Sequence, residues 1–222
     1  MNTNIVITGA TGALGSLVTQ TFAGMGHNLA LLDKDQAKLD VLTRSLNLPS
    51  ERIFAQTVDL LDGQALQDSA AAVLKKFGGV QALFHLVGGW VGGKTITDTQ
   101  ADDLEFMINQ HVRTTFNLFK VFQTPLATNK WGRVIVISAS TVPNPSGKSA
   151  VYTAAKSAQE NMVLSLAAEL KETGVTANIL QVKAIDVDNK GTGSTPAEIV
   201  SAMQYLFSDQ ADKINGARIP LS

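Results

Sequence analysis

"NIVITGATGALGSL", residues 4 to 17, is the stretch whose reading decides the fold. It opens on a short β-branched run, meets glycines at 9, 12 and 15, and passes into an apolar-periodic segment that ends near "GMGH". The order is strand, glycine turn, helix. Glycine at such a turn lets the chain bend tightly and lets backbone N–H groups approach a phosphate, while the helix N-terminus adds partial positive charge. Ordinary strand-to-helix turns also use glycine, so the rest of the chain has to supply the context.

The same alternation repeats downstream. "LALLD" (29–33) is followed by "KDQAKLDVLTRSL", whose Ala37, Leu39, Val41, Leu42 and Leu46 lie near one helical stripe. Then come "RIFAQTVDL", a helix over 62–77, "VQALFHLVGG", a helix over 100–123, "RVIVISAS", a helix over 150–173, "VTANILQV", a helix opened by Pro196, and "ARIPLS" as a closing strand. Strand cores such as "VIVI" are continuously apolar, as they are where both faces of a sheet are covered. The pattern predicts an α/β chain of the Rossmann type: a doubly wound, mostly parallel seven-stranded sheet with helices on both faces, one domain over 1–222. The least regular segments, 88–99, 139–149 and 183–195, all follow strands. They belong at the carboxyl edge of the sheet, where ligands bind in such folds.

Composition agrees and excludes several classes. The chain has 222 residues, 45% hydrophobic and 17% charged, enough for one sizeable core. With 18 basic against 19 acidic residues the net charge is −1, and no Lys/Arg-rich run appears, so no nucleic-acid partner is expected. The absence of cysteine removes disulfides, thiolate metal sites and cysteine nucleophiles, and no metal-ligand spacing appears around His27 or His85. There is no targeting segment at the N-terminus and no apolar run long enough to span a bilayer. A cytoplasmic protein without membrane contact is expected.

Two further features carry chemistry. Asp33 ends the second strand, where a carboxylate either accepts both hydroxyls of an adenosine ribose or caps the helix that starts near Asp35. In "YTAAK" (152–156) a phenol and an ammonium stand one helical turn apart. A phenol with a pKa of about 10 is a poor proton donor at neutral pH, and a nearby cation favours the phenolate and brings that value down. The pair is either two neighbours on a surface helix or a general acid/base, Tyr152, whose proton the Lys156 cation makes easier to release.

Together these residues resemble the short-chain dehydrogenases/reductases. "TGATGALG" (8–15), Asp59 after the third strand, "GG" (88–89) after the fourth and "YTAAK" match that family in order and spacing over almost the whole chain. The resemblance implies a dinucleotide held by Gly9, Thr11, Gly12, Leu14, Gly15, Asp33, Asp59, Leu60, Val87 and Gly88. Tyr152 and Lys156 would reach its nicotinamide ribose end, and the backbone of Ile185 its carboxamide. It implies an NAD(P)(H)-dependent oxidoreductase that moves hydride to or from a small carbonyl/alcohol or imine substrate. Asp33 would repel a 2′-phosphate, so NAD(H) is preferred over NADP(H), with Lys34 partly offsetting the charge. Relatives of this kind pair as homodimers or homotetramers through the helices predicted at 100–123 and 150–173.

"LVGGWVGG" (86–93) is similar to a glycine-rich, tryptophan-containing loop of dihydropteridine reductases, members of the same family that prefer NADH. Trp90 is either an exposed aromatic on a flexible turn or a surface on which a planar heterocycle such as a dihydropterin stacks.

Three positions depart from the family. Its serine falls on Ala139, flanked by Ser138 and Ser140. Strand alternation is expected to turn only one of the two to the site, and Ser138 is preferred. The family's relay asparagine falls on His111, which either titrates near neutrality in a proton relay or is a hydrogen-bonded interior histidine. The long flap after the sixth strand is reduced to "AIDVDNKGTGST" (184–195), which leaves substrate closure to another element. These departures favour a rival reading, a dinucleotide-binding sensor or structural subunit without turnover; retention of Tyr152 and Lys156 favours the enzyme.

Overall fold

The structure, a computed structural model, describes residues 3–221. Seven parallel strands lie in the order β3-β2-β1-β4-β5-β6-β7, where β1 is Asn4–Thr8, β2 Asn28–Asp33, β3 Ile53–Thr57, β4 Ala82–His85, β5 Gly132–Ala139, β6 Val175–Val182 and β7 Arg218–Leu221. Every pairing is parallel, so the sheet is more uniform than "mostly parallel". Ser222, the last residue of the predicted closing strand, lies outside the described residues.

The strand order reverses direction between β1 and β4. A crevice must open there at the carboxyl edge, because the connections leave β1 and β4 toward opposite faces. Helices α1 (Ala13–Gly24), α2 (Gln36–Leu46) and α7 (Pro196–Phe207) cover one face. Helices α3 (Gly63–Phe77), α5 (Thr114–Ala127) and α6 (Ala150–Glu169) cover the other. Strand alternation divides the core accordingly: Ile5, Ile7, Phe84, Ile135 and Ile137 pack toward α1 and α7, whereas Val6, Leu83, Val134 and Val136 pack toward α3, α5 and α6.

The helix ends follow local chemistry. Asp35 and Asp62 cap α2 and α3 by accepting backbone N–H groups, and α7 opens on a capping box between Thr195 and Glu198 with Pro196 in its first turn. The helix predicted over 100–123 departs from a regular α-helix. It runs as α4 (Ala101–Met107), a π segment (Ile108–Arg113) and α5, so one wide turn rotates the residues after 113 relative to those before it. The helix predicted to reach 173 ends at Glu169 and continues as a 3₁₀ turn, Lys171–Thr173.

Candidate active site

Backbone comes bare where β1, β4 and α1 meet. Gly9 has φ +70°, and a Cβ there would stand 3.0 Å from the backbone of Leu86 and Val87; a Cβ on Gly15 would stand 2.0 Å from the carbonyl oxygen of Gly9. Glycine at 15 therefore lets α1 start directly behind the turn, with its N-terminus aimed across the crevice. Beside it runs a cleft of about 260 Å³ lined by Gly9, Thr11, Gly12, Asp33, Asp59, Leu60, Val87 and Gly88. Eight of the predicted cofactor contacts are thus brought to one cleft. Leu14 and Gly15 do not line it. Leu14 packs into the core, and as early residues of α1 the two have only backbone N–H groups to offer. The bare turn, the helix N-terminus and the carboxylate at the far end fit an anionic dinucleotide.

Asp33 does not cap α2; Asp35 does. The Asp33 carboxylate accepts instead from the N–H and hydroxyl of Thr11, at 2.9 and 2.8 Å, and from the N–H of Lys34 at 2.8 Å. Lys34 and Lys38 line the same cleft, so cations and the carboxylate share its outer end. Asn117 on α5 donates to the carbonyl of Leu60 at 2.8 Å and ties the loop after β3 to the helix layer. Nothing in the spacing of residues pointed to this tether.

Tyr152 and Lys156 lie in the first two turns of α6 at the carboxyl edge. The expectation that Lys156 acidifies Tyr152 is not met in this state. The ammonium is turned into the protein, donating to the carbonyl oxygen of Ile137 at 2.8 Å and to Gln159 Oε1 at 2.9 Å. Burial holds it down to about 7, against an opposing pull from the Glu160 carboxylate. Burial likewise pushes the Tyr152 phenol up from its ordinary value rather than down. Burial alone acts on the phenol, because the ammonium is turned toward Ile137 and Gln159 instead.

Ser138 shares its strand face with Val134 and Val136, the face covered by α5 and α6. Its hydroxyl is buried without a hydrogen-bond partner. Such a group is uncommon, because leaving it unpaired costs about 1–3 kcal/mol. Alternation does not separate it from Ser140, as expected from sequence, since residues two apart point the same way. What separates them is the end of β5 at Ala139: Ser140 already belongs to the following turn, with its N–H bonded to the carbonyl of Val182.

His111 is an interior histidine. Its Nε2 donates to the carbonyl oxygen of Gly89 at 2.9 Å, and its ring stands edge-on to Tyr152 with 5.6 Å between centroids. Burial lowers it to about 3, so it stays neutral at pH 7 and does not titrate near neutrality. The sequence offered that alternative because it could not show how deeply the π segment is covered. His85 ends β4 on the same face, hydrogen-bonded through Nδ1 to Thr8 Oγ1 at 2.7 Å, and burial lowers it to about 3 as well.

The 88–93 loop is set by these contacts. Gly93 N–H reaches the carbonyl of Lys148 at 2.8 Å, and a Cβ on Gly92 would stand 2.6 Å from the Trp90 indole. The indole therefore lies over Gly92, and it remains 63% exposed. The segment after β6 closes on itself. Ser194 N–H bonds Ala184, Asp186 N–H bonds Ser194, and the buried Asp186 carboxylate accepts the N–H groups of Lys190 and Thr192. Ile185 sits between the two bridging residues, 39% exposed at this edge.

A larger hollow, about 810 Å³, opens elsewhere among Lys130, Trp131, Lys171 and Lys213. It lies at the amino edge of the sheet and contains none of the residues above. Among the described residues no cluster of side chains could hold a metal ion, and no helix is long and apolar enough to cross a membrane.

Comparison with known proteins matches this arrangement. Residues 3–196 fit the family model for short chain dehydrogenases. A 2,3-dihydroxy-2,3-dihydro-p-cumate dehydrogenase of Pseudomonas putida is 28% identical over 184 residues, 82% of this chain and 71% of that protein. The 3-oxoacyl-[acyl-carrier-protein] reductase MabA of Mycobacterium tuberculosis is 27% identical, with 98% of this chain and 90% of that one covered. In fold alone, the crystal structure of sorbitol-6-phosphate 2-dehydrogenase SrlD from Erwinia amylovora superposes with a TM-score of 0.91 at 20% identity, over 98% of this chain and 97% of that one. Members of the family work with nicotinamide dinucleotides on small molecules. The chain belongs to the short chain dehydrogenase family and is an oxidoreductase of that type.

Proposed function

We propose that the protein is an NAD(H)-dependent reductase of a small, flat carbonyl or imine compound, with a dihydropterin as the substrate class to try first. The observation that carries the reading is the half-buried phenol of Tyr152, edge-on to the His111 ring, which itself lies against Gly88 of the glycine cleft. The phenol is protonated at pH 7, as the proton donor in a reduction has to be.

In this reading Gly9, Thr11, Gly12, Asp59, Leu60, Val87 and Gly88 line the dinucleotide, the N–H groups of Leu14 and Gly15 face its diphosphate, and Ile185 offers backbone to the carboxamide. Asp33 takes the ribose hydroxyls and gives the preference for NAD(H). The bound nicotinamide supplies the hydride. Tyr152 delivers the proton to the substrate oxygen or nitrogen. Lys156 spends two of its three N–H groups on Ile137 and Gln159, which leaves one for the nicotinamide ribose. Ser138, with its unpaired hydroxyl, orients the substrate, and Ser140 lies just beyond it. His111 acts through the loop it holds rather than as a relay.

The exposed indole of Trp90 supports a planar substrate, and the self-closed segment after β6 supports one that needs no deep lid. A homo-oligomer through α5 and α6 belongs to the same reading, supported by Phe116, 56% exposed beside a groove between those helices. Light scattering of wild type and Phe116→Asp tests it.

The decisive experiment is a titration with NADH and NADPH followed by initial rates with quinonoid dihydropterins, quinones and ketones. NADH binding with turnover of a flat substrate, lost in Tyr152→Phe, is the expected result. Binding without turnover of any of them would overturn the substrate assignment, and turnover undiminished in Tyr152→Phe would overturn the mechanism.

A further inference from the structure

A single directed chain of hydrogen bonds joins Lys156 to the π segment. Lys156 Nζ donates to Gln159 Oε1 at 2.9 Å, Gln159 Nε2 donates to Thr115 Oγ1 at 2.9 Å, and the Thr115 hydroxyl donates to the carbonyl oxygen of His111 at 2.6 Å. Gln159, Thr115 and His111 are each 0% exposed.

The direction of the chain is fixed at both ends. An ammonium only donates, so the atom of Gln159 that faces it must be the amide oxygen. The Thr115 hydroxyl gives its one proton to His111, so it must accept from the amide nitrogen. Flipping the amide would set donor against donor at Lys156 and would leave Thr115 facing an acceptor with no proton to give. The carbonyl of His111 lies in the π segment, and the Thr115 hydroxyl bonds it from four residues on, so the chain ends on that wide turn.

Gln159 stands where the inner stripe of α6 passes from polar to apolar. Residues 152, 156, 159, 163, 166 and 170 repeat at steps of four and three along the inner stripe of α6, and the last three are Val163, Leu166 and Leu170. A buried polar amide in such a stripe costs stability unless it is fully paired. Here it is paired on both sides.

We propose that Gln159 is a positioning residue for Lys156: its amide, locked by Thr115 to the π segment, fixes where the ammonium sits and keeps it charged when the dinucleotide arrives. This deepens the functional reading above and rests on it for the dinucleotide. An amide neither gains nor loses a proton at ordinary pH, so the chain holds the lysine without draining protons from it. The titratable groups around the ammonium are Tyr152 and Glu160 on α6, His85 at the end of β4 and His111 on the π segment. Of these, Glu160 is committed to Gln181 and Arg218, at 2.9 and 2.6 Å, and both histidines are neutral at pH 7. The nearest support for the ammonium therefore comes from the two neutral acceptors, Ile137 and Gln159.

The test follows the lysine itself. In protein labelled with ¹⁵N at lysine side chains, the Nζ resonance of Lys156 is followed against pH, and the affinity for NADH is measured on the same samples. Gln159→Met keeps the length and removes the acceptor; it is expected to lower the Nζ midpoint by about one pH unit and to weaken NADH about tenfold. Gln159→Glu sets a carboxylate against the ammonium and is expected to raise the midpoint by about a unit or more. Thr115→Val unlocks the amide and is expected to shift the midpoint downward by less than Gln159→Met does.

The proposal is overturned if the midpoint and the NADH affinity match wild type in folded Gln159→Glu and Thr115→Val. Those two variants keep the local volume and decide the matter should Gln159→Met fail to fold. If wild type binds neither NADH nor NADPH, the functional reading fails, and the Nζ midpoints alone still judge Gln159.

Discussion

Asp33 and Thr11 are clasped to each other: one carboxylate oxygen of Asp33 accepts both the N–H and the hydroxyl of Thr11, at 2.9 and 2.8 Å. The pair ties the end of β2 to the glycine turn and aims the carboxylate along the cleft. Two cations, Lys34 and Lys38, line that cleft beside it. Removing the charge should leave Lys34 free to meet a 2′-phosphate, with Lys38 beside it still paired to Asp35 at 3.2 Å. Asp33→Ser is expected to weaken NADH by about tenfold and to tighten NADPH, so that the preference inverts. Parallel titrations with both nucleotides read this, and an unchanged ratio would show that Asp33 does not set it.

Tyr152→Phe removes one oxygen and leaves the ring that packs edge-on against His111. Turnover should fall by about 10²–10⁴-fold, the usual contribution of a positioned proton donor, with NADH affinity within about threefold of wild type. Steady-state rates and a fluorescence titration separate the two quantities. A comparable loss of both would assign the phenol to binding instead.

The buried histidines predict how the fold responds to acid. In the unfolded chain His85 and His111 bind protons below about 6.5. In the folded chain both are lowered to about 3. Between these values the unfolded state holds more protons, so stability falls as the pH drops from 6.5 toward 3, by up to about 1.4 kcal/mol per pH unit for each site. Lys156 acts in a higher window: lowered to about 7, it releases its proton in the folded state first, so its contribution rises with pH from 7 toward 10.5. Urea midpoints at several pH values test this. His85→Asn should flatten the acid limb by about one proton, and an unchanged slope would contradict the burial assigned to that ring.

Gly92 is kept free of a side chain by Trp90. Gly92→Ala would set a methyl group 2.6 Å from the indole and displace it. The loop is exposed, so the melting temperature should move by no more than about 2 °C. KM for a flat substrate should rise severalfold in both Gly92→Ala and Trp90→Ala, with NADH affinity unchanged. If only Trp90→Ala raises KM, the indole reaches the substrate from more than one position.

Much of this was legible in the sequence, and the reasons differ by residue. The strand runs were read to within a few residues because both sheet faces are covered, so each strand is an apolar block bounded by turn residues. The cleft was legible because glycine answers to a positive φ at 9 and to an outright backbone collision at 15. The direction of Lys156 was not legible. Spacing places an ammonium one turn from a phenol, but its orientation depends on acceptors that lie 19 residues before it and 3 after it. Gln159 left little trace, since the stripe it shares with Tyr152 and Lys156 turns apolar only from Val163 onward, and the choice of Ser138 over Ser140 rested on an argument from alternation that was not sound. The π segment left none: a wide turn shifts hydrogen bonds without changing composition, and the depth of His111 followed from it.

The loop after β6 spends its buried carboxylate, Asp186, on its own backbone. A segment so tied has little left to rearrange when a compound arrives or departs, and access to the phenol then depends on diffusion past an open rim. On the function proposed above, closure of this segment is not expected to pace turnover, and thickening the solvent with sucrose is expected to slow it only as far as encounter itself is slowed.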